Sequence, residues 1–181
     1  MSLNPYYRRI SRLPITHSGL SDDGVPFVRL ENGKVFYGYL PTSSQRYYYK
    51  FFLKPEIKPK LREDCINVAF DIVVRYIGPD SPKANIRAGK YYDFLPGQTI
   101  VEVGAYIGYY AMRAAELVGE AGKVVAVEAI EANLLLLKKN VEANHFKNIV
   151  IVPKAAWKSA GSLRFYRHAR QQASAISSVI A

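Results

Sequence analysis

From residue 99 onward, apolar positions switch in a regular order between continuous runs and helical spacing. Ile100, Val101 and Val103 form a short β-branched run, which reads as a buried strand. Tyr110, Ala111, Ala114, Leu117 and Val118 then recur at helical spacing and predict a helix over 109–118. Gly119 and Gly122 close it, and residues 123–128 predict a second strand around Val124-Val125-Ala126-Val127. An all-apolar run suits a parallel sheet buried on both faces. Leu134, Leu137 and Val141, with Leu135 and Leu136 beside them, predict a helix over 130–144, and Ile149–Val152 a third strand. Such a β-α-β-α-β series implies right-handed crossovers and is expected to carry helices on both faces of its sheet. Its ligand site is expected beyond the carboxyl ends of the strands.

The pattern is less regular before residue 99. Residues 1–24 read as irregular, with Pro5, Pro14, Gly19 and the turn-like Asp22-Asp23-Gly24. Val25–Leu30 and Val35–Leu40 flank Asn32-Gly33, which predicts a hairpin with a type I′ turn. Residues 41–45 read as a loop, and the aromatic segment 46–53 has no assigned state. Leu61, Cys65, Val68, Ala69, Ile72, Val73 and Tyr76 predict an amphipathic helix over 60–77, ended by Gly78-Pro79. The chain thus reads as a hairpin region (1–59), a helix and connector (60–98) and an α/β region (99–181).

Composition narrows the function classes. With 181 residues the chain can hold one domain with a proper core and a small appendage. No apolar stretch reaches the roughly 18 residues that span a bilayer, and the N-terminus lacks a secretory h-region, so a cytoplasmic location without membrane contact is expected. One cysteine, Cys65, excludes an internal disulfide and a cysteine-based zinc cluster; it reads as a small core residue. The net charge of +10 is uneven, since residues 1–62 hold 11 Lys/Arg against 4 Asp/Glu. A basic, Tyr-rich arm can track a phosphate backbone and stack on bases. A solvated surface is the plainer reading, because no RNA-binding signature accompanies the charge.

Candidate chemistry gathers at the strand ends. The first strand carries Glu102 and runs into Gly104 and Gly108, giving Glu-x-Gly-x-x-x-Gly. A dinucleotide site needs G-x-G-x-x-G, so that the backbone can approach the pyrophosphate. Tyr106 stands where that middle glycine would be, which points to a ligand without phosphate. Glu128 ends the second strand, where a carboxylate can accept both hydroxyls of a ribose.

Val101-Glu102-Val103-Gly104-Ala105-Tyr106-Ile107-Gly108-Tyr109-Tyr110 resembles motif I of the class I S-adenosylmethionine-dependent methyltransferases, and within them the FkbM-type family. Val125–Ala129, followed by Asn133, Leu137, Asn140 and Asn144, resembles that family's second-strand region, with Ala129 where proline is common. Asn148–Trp157 and Gly161–Tyr166 are similar to its third block. The resemblance implies a Rossmann-like α/β/α core with a mostly parallel sheet, S-adenosyl-L-methionine as cofactor, and methyl transfer to oxygen on a small-molecule or glycan-type hydroxyl. It implies that Gly104, Ala105, Tyr106 and Gly108 wrap the methionine and ribose part, and that Glu102 anchors the loop or the cofactor's amino end. Glu128 takes the ribose hydroxyls, Ala129 and Ile130 line the adenine, and backbone groups around Lys154 and Ala155 contact it. His17, His145 and His168 read as surface histidines; Tyr91, Tyr92 and Asp93, just before the first core strand, are within reach of the cofactor mouth but read more plainly as core or surface packing, so no general base is assigned.

In the FkbM-type pattern, a fourth core strand follows a Ser-rich stretch like 174–178. The sequence reaches only residue 181, so a core truncated after its third strand is expected, with an unpaired edge on the 100–103 strand. Such an edge invites pairing. The hairpin, the tail 162–180 or a second chain are the candidate covers, and a partner chain or self-association is the expectation. A split or shortened methyltransferase, a non-catalytic cofactor-binding or regulatory module, and an RNA-directed protein stand as the three readings.

Overall fold

The computed structural model describes residues 10, 12–53, 55–77, 94–161, 164–166 and 178–180. The chain divides into two compact units, Met1–Asp93 and Phe94–Ala181.

The first unit is an antiparallel sheet with helical segments. Its strands β1 (Ile15–Leu20), β2 (Pro26–Leu30) and β3 (Val35–Tyr37) lie in sequence order. The hairpin is present, but β1 falls where the sequence reads as irregular. Polar residues disguise it: Ser18 is buried, and its hydroxyl accepts the Arg62 N–H at 2.8 Å. The register also slips between Ile15 and His17, which breaks the alternation. The β2–β3 turn differs from the type I′ expectation as well. Gly33 has φ +82° while Asn32 is not left-handed. Gly33 N–H donates to Leu30 O, and Leu30 N–H to Lys34 O, both at 2.9 Å. These bonds describe a three-residue loop, a type I turn followed by a glycine bulge.

The aromatic segment forms helix α1 (Ser43–Phe52), begun by a capping box between Thr42 and Gln45. The expected helix over 60–77 is wound in three ways. A 3₁₀ turn (Glu63–Cys65) leads into α2 (Ile66–Asp71) and then a π turn (Ile72–Tyr76), where Ile77 N–H reaches Ile72 O at 2.9 Å. Its buried side, including Cys65, Ile66, Val68, Ile72 and Tyr76, belongs to the core with Val28 and Phe36; the Tyr76 and Phe36 rings meet edge-on at 4.8 Å.

Asp71 is buried beside Arg75, whose Nε donates to its carboxylate at 3.1 Å. Burial pushes its carboxyl above the ordinary value, and Arg75 only partly offsets this. The folded state therefore holds a proton more tightly than the unfolded chain, and Asp71 favours folding most in acid, a contribution lost as pH rises through its raised pKa. Urea unfolding of the wild type and Asp71→Asn from about pH 4 to about pH 8 should show a stability difference that moves against the wild type with rising pH. Two curves that stay parallel would contradict this.

In the second unit, β4 (Thr99–Val103), β5 (Lys123–Val127) and β6 (Ile149–Val152) form a parallel sheet in sequence order. Helix α3 (Tyr109–Val118) and helix α4 (Glu131–Ala143) connect them. Their boundaries lie within a residue of those expected. Both helices pack on one face, however, not on two. Ala111, Ala114, Ala115, Val118, Leu137 and Val141 share a core with Val124 and Ala126, against which Ile100, Ile149 and Ile151 pack. The strand order explains this: each right-handed crossover steps in the same direction, so both helices fall on the same side. The other face carries six valines in register, namely 101, 125 and 150, then 103, 127 and 152. Val101 and Val103 are 61% and 63% exposed.

Among the described residues β4 bonds to β5 alone. The tail contributes β7 (Arg164–Tyr166) and β8 (Ser178–Ile180), which pair with each other, antiparallel. Among the described residues this pair adds no strand to β4. Among the described residues no helix is long and apolar enough to cross a membrane.

Candidate functional site

The carboxyl ends of β4, β5 and β6 bring most of the predicted residues together. The chain leaves β4 at Gly104, and the N–H groups of Gly104 and Ala105 both donate to Val127 O, at 2.8 and 2.9 Å. The loop is thereby hung on the end of β5. Gly108 N–H then donates to Ala105 O at 2.9 Å, and Gly108 O accepts the Met112 N–H that opens α3.

The two glycines do different work. Both are left-handed, with φ +81° at Gly104 and +87° at Gly108. A Cβ at Gly104 would meet nothing, so open space lies beside its backbone. A Cβ at Gly108 would collide with Leu137 Cδ1, so α4 presses directly on the loop there.

Tyr106 lies between them at φ +53°. A left-handed conformation costs a residue with a Cβ about 1–2 kcal/mol, and something must hold it. Its N–H donates to Glu128 Oε2 at 2.8 Å. The other carboxylate oxygen, Oε1, accepts from the N–H groups of Ala129 and Ile130 at 2.9 and 2.8 Å. Glu128 is 6% exposed, so these three charge-assisted bonds are formed largely out of water, where they are strong. Expected as a ligand acid, it also ties the glycine loop to the turn after β5. The sequence holds no signal for that second task, because it depends on where Tyr106 N–H points.

The remaining predicted residues spread around this centre. Glu102 is half-buried on the helix-covered face of β4, in register with Ala126. Ala129 and Ile130 are half-buried beside Glu128. Glu128 N–H donates to Val152 O at 3.1 Å, and so does Lys154 N–H at 2.9 Å, which brings the end of β6 alongside. Lys154 is exposed and Ala155 half-buried. His17 and His145 are exposed, as expected of surface histidines, whereas Tyr91, Tyr92, Asp93 and His168 lie outside the described residues. A cavity of about 860 Å³ lies at the opposite, amino ends of the strands, lined by Glu116, Lys123, His145 and Asn148 among others. It is separate from this constellation. Among the described residues no group of three His, Cys, Asp or Glu side chains is placed to hold a metal ion.

Residues 76–160 match the family model described as protein-L-isoaspartate(D-aspartate) O-methyltransferase (PCMT). A curated relative, protein-L-isoaspartate O-methyltransferase 1 of Archaeoglobus fulgidus, is 37% identical over 60 residues, 33% of this chain and 28% of the relative. The protein-L-isoaspartate O-methyltransferase of Methanococcoides burtonii is 43% identical over 56 residues, 31% of this chain and 28% of its own. A solved structure titled protein-L-isoaspartate O-methyltransferase is 30% identical, with a TM-score of 0.35, over 36% of this chain and 21% of that one. The chain therefore spans less than a third of the length of these relatives. The matches lend no support to the FkbM-type family in particular. What the sequence match and the sheet topology share is the coarser class: the second unit carries the Rossmann-like fold of the class I S-adenosylmethionine-dependent methyltransferases.

Proposed function

We propose that the chain is an S-adenosylmethionine-dependent O-methyltransferase whose acceptor is a carboxylate of the isoaspartyl kind. The carrying observation is that the matched segment, residues 76–160, contains both the left-handed glycine loop and the buried acid that holds it. The site suits the cofactor on its own geometry. Open space lies beside the Gly104 backbone, where a ligand can approach. A carboxylate has about four acceptor positions; three N–H groups use those of Glu128, which leaves one for a ribose hydroxyl.

On this reading Glu128 orients the ribose, while Gly104, Ala105, Tyr106 and Gly108 enclose the ribose and methionine part. Glu102 serves the amino end, Ala129 and Ile130 flank the adenine, and backbone groups at Lys154 and Ala155 contact its edge. When bound, the cofactor supplies a methyl group activated on a sulfonium. The protein's share is alignment, which supplies much of the acceleration of an in-line displacement. A carboxylate acceptor is already ionised at neutral pH and needs no general base, unlike the hydroxyl acceptor that the FkbM-type resemblance implies.

Calorimetric titration with S-adenosylhomocysteine should give saturable binding. Labelled methyl transfer should then appear with an isoaspartyl peptide and not with its aspartyl isomer. Absence of any binding sinks the reading. Binding without transfer to any acceptor points instead to a non-catalytic module, and transfer to a glycan hydroxyl to the FkbM-type reading. The edge of β4, which pairs with no second strand among the described residues, supports a further part of the proposal, that a second chain or second copy covers it; a monomer in sedimentation at high concentration contradicts this. The basic N-terminal arm keeps RNA as a second partner class, recognisable by binding that falls steeply with salt.

A further inference from the structure

The glycine loop is held from two directions. Its first half hangs on β5, through Val127 O and Glu128. Its second half meets α4, where Leu137 presses on Gly108 and the Asn140 side chain reaches Ile107. Asn140 Nδ2 donates to Ile107 O at 2.9 Å, across 33 positions of sequence.

Asn140 is 0% exposed, and its helix neighbours Leu136, Leu137 and Val141 are buried apolar residues. Burying an amide in such surroundings is unfavourable unless its hydrogen bonds are made. A leucine would fill the same space without that cost, so packing alone does not account for this residue. The bond it makes fixes the Ile107–Gly108 peptide, at the point where the loop turns into α3. Sequence reasoning gave Asn140 no part in the site.

We infer that Asn140 is a positioning residue for the cofactor loop, setting its second half from α4 as Glu128 sets its first half from β5. This rests on the cofactor reading above only for its consequence, not for the contact itself. Without the amide, Ile107 O is a buried acceptor with no donor, and the loop relaxes away from the shape that receives the ligand. The loss of one well-made buried hydrogen bond is enough to change an affinity about tenfold.

The test uses the 181-residue chain as wild type, Asn140→Leu and Val141→Ala. Val141 lies on the same helix and in the core, and its side chain can make no hydrogen bond, so its variant reports plain loss of packing. Amide exchange of Tyr106, Ile107 and Gly108 without any ligand should quicken about tenfold in Asn140→Leu relative to the amides of β5, and rise evenly across the unit in Val141→Ala. Affinity for S-adenosylhomocysteine should fall about tenfold in Asn140→Leu and about twofold or less in Val141→Ala, at matched thermal stability. Uniform exchange in both variants overturns the inference. A wild type that does not bind S-adenosylhomocysteine overturns the cofactor reading instead, and the exchange data still decide the role of Asn140.

Discussion

Gly108→Ala should destabilise the second unit by about 2–5 kcal/mol, read as a drop in its unfolding midpoint in denaturant. Two costs combine. A left-handed φ of +87° burdens any residue that has a Cβ. The new methyl also overlaps Leu137 Cδ1. That side chain is 0% exposed, so it cannot swing into solvent, and overpacking in a filled core typically costs about 1–3 kcal/mol. Gly104→Ala is the natural contrast. It meets the same backbone strain but no neighbour, so its stability loss should stay near the lower figure while its methyl stands where a ligand would approach. The expected pattern is a mainly structural defect at 108 and a mainly binding defect at 104. Equal stability losses at both positions would show that the Leu137 contact is not what makes Gly108 necessary. A double-mutant cycle with Leu137→Ala isolates the same contact: the penalty of Gly108→Ala should shrink once the leucine methyls are gone.

The elements most legible in the sequence are those whose pattern has no competitor. Val124–Val127 and Ile149–Val152 are β-branched or small apolar runs between glycine or polar stops, Ile100–Val103 is such a run broken only by Glu102, and the two gaps between them each leave room for one helix. The Glu128 and Gly104 positions follow from those runs, since a strand end fixes where a loop begins. What stayed hidden depends on partners far away in sequence. β1 contains Ser18, a buried hydroxyl whose partner, the Arg62 N–H, lies 44 positions away in sequence. Asn32-Gly33 is compatible with two turn types, and the flanking bonds of Leu30 select between them. That both helices fall on one face, leaving the valines on the other, follows from strand order, which the order of elements along the chain does not dictate. Asn140 reads as an ordinary helix position until α4 is laid against the loop.

Glu128→Ala should cost the second unit about 3 kcal/mol and reduce affinity for S-adenosylhomocysteine about a hundredfold. Removing the carboxylate strips acceptors from three N–H groups, those of Tyr106, Ala129 and Ile130. A buried donor left unmade costs about 1–3 kcal/mol, and with Glu128 only 6% exposed water can relieve part of this but not all. Glu128→Gln separates the two tasks of the side chain. Its amide keeps one acceptor oxygen for Ala129 and Ile130, but its NH₂ then faces the Tyr106 N–H, donor against donor. If Glu128 served a ligand alone, the glutamine variant would keep wild-type exchange at the Tyr106 amide and lose only affinity. If it also holds the loop, that amide should exchange faster before any ligand is added, because Tyr106 at φ +53° has lost what kept it there. The second result is expected. It would mean that the acid has already shaped the loop into a receiving form before the cofactor arrives, so that part of the ordering cost of binding is met by the fold.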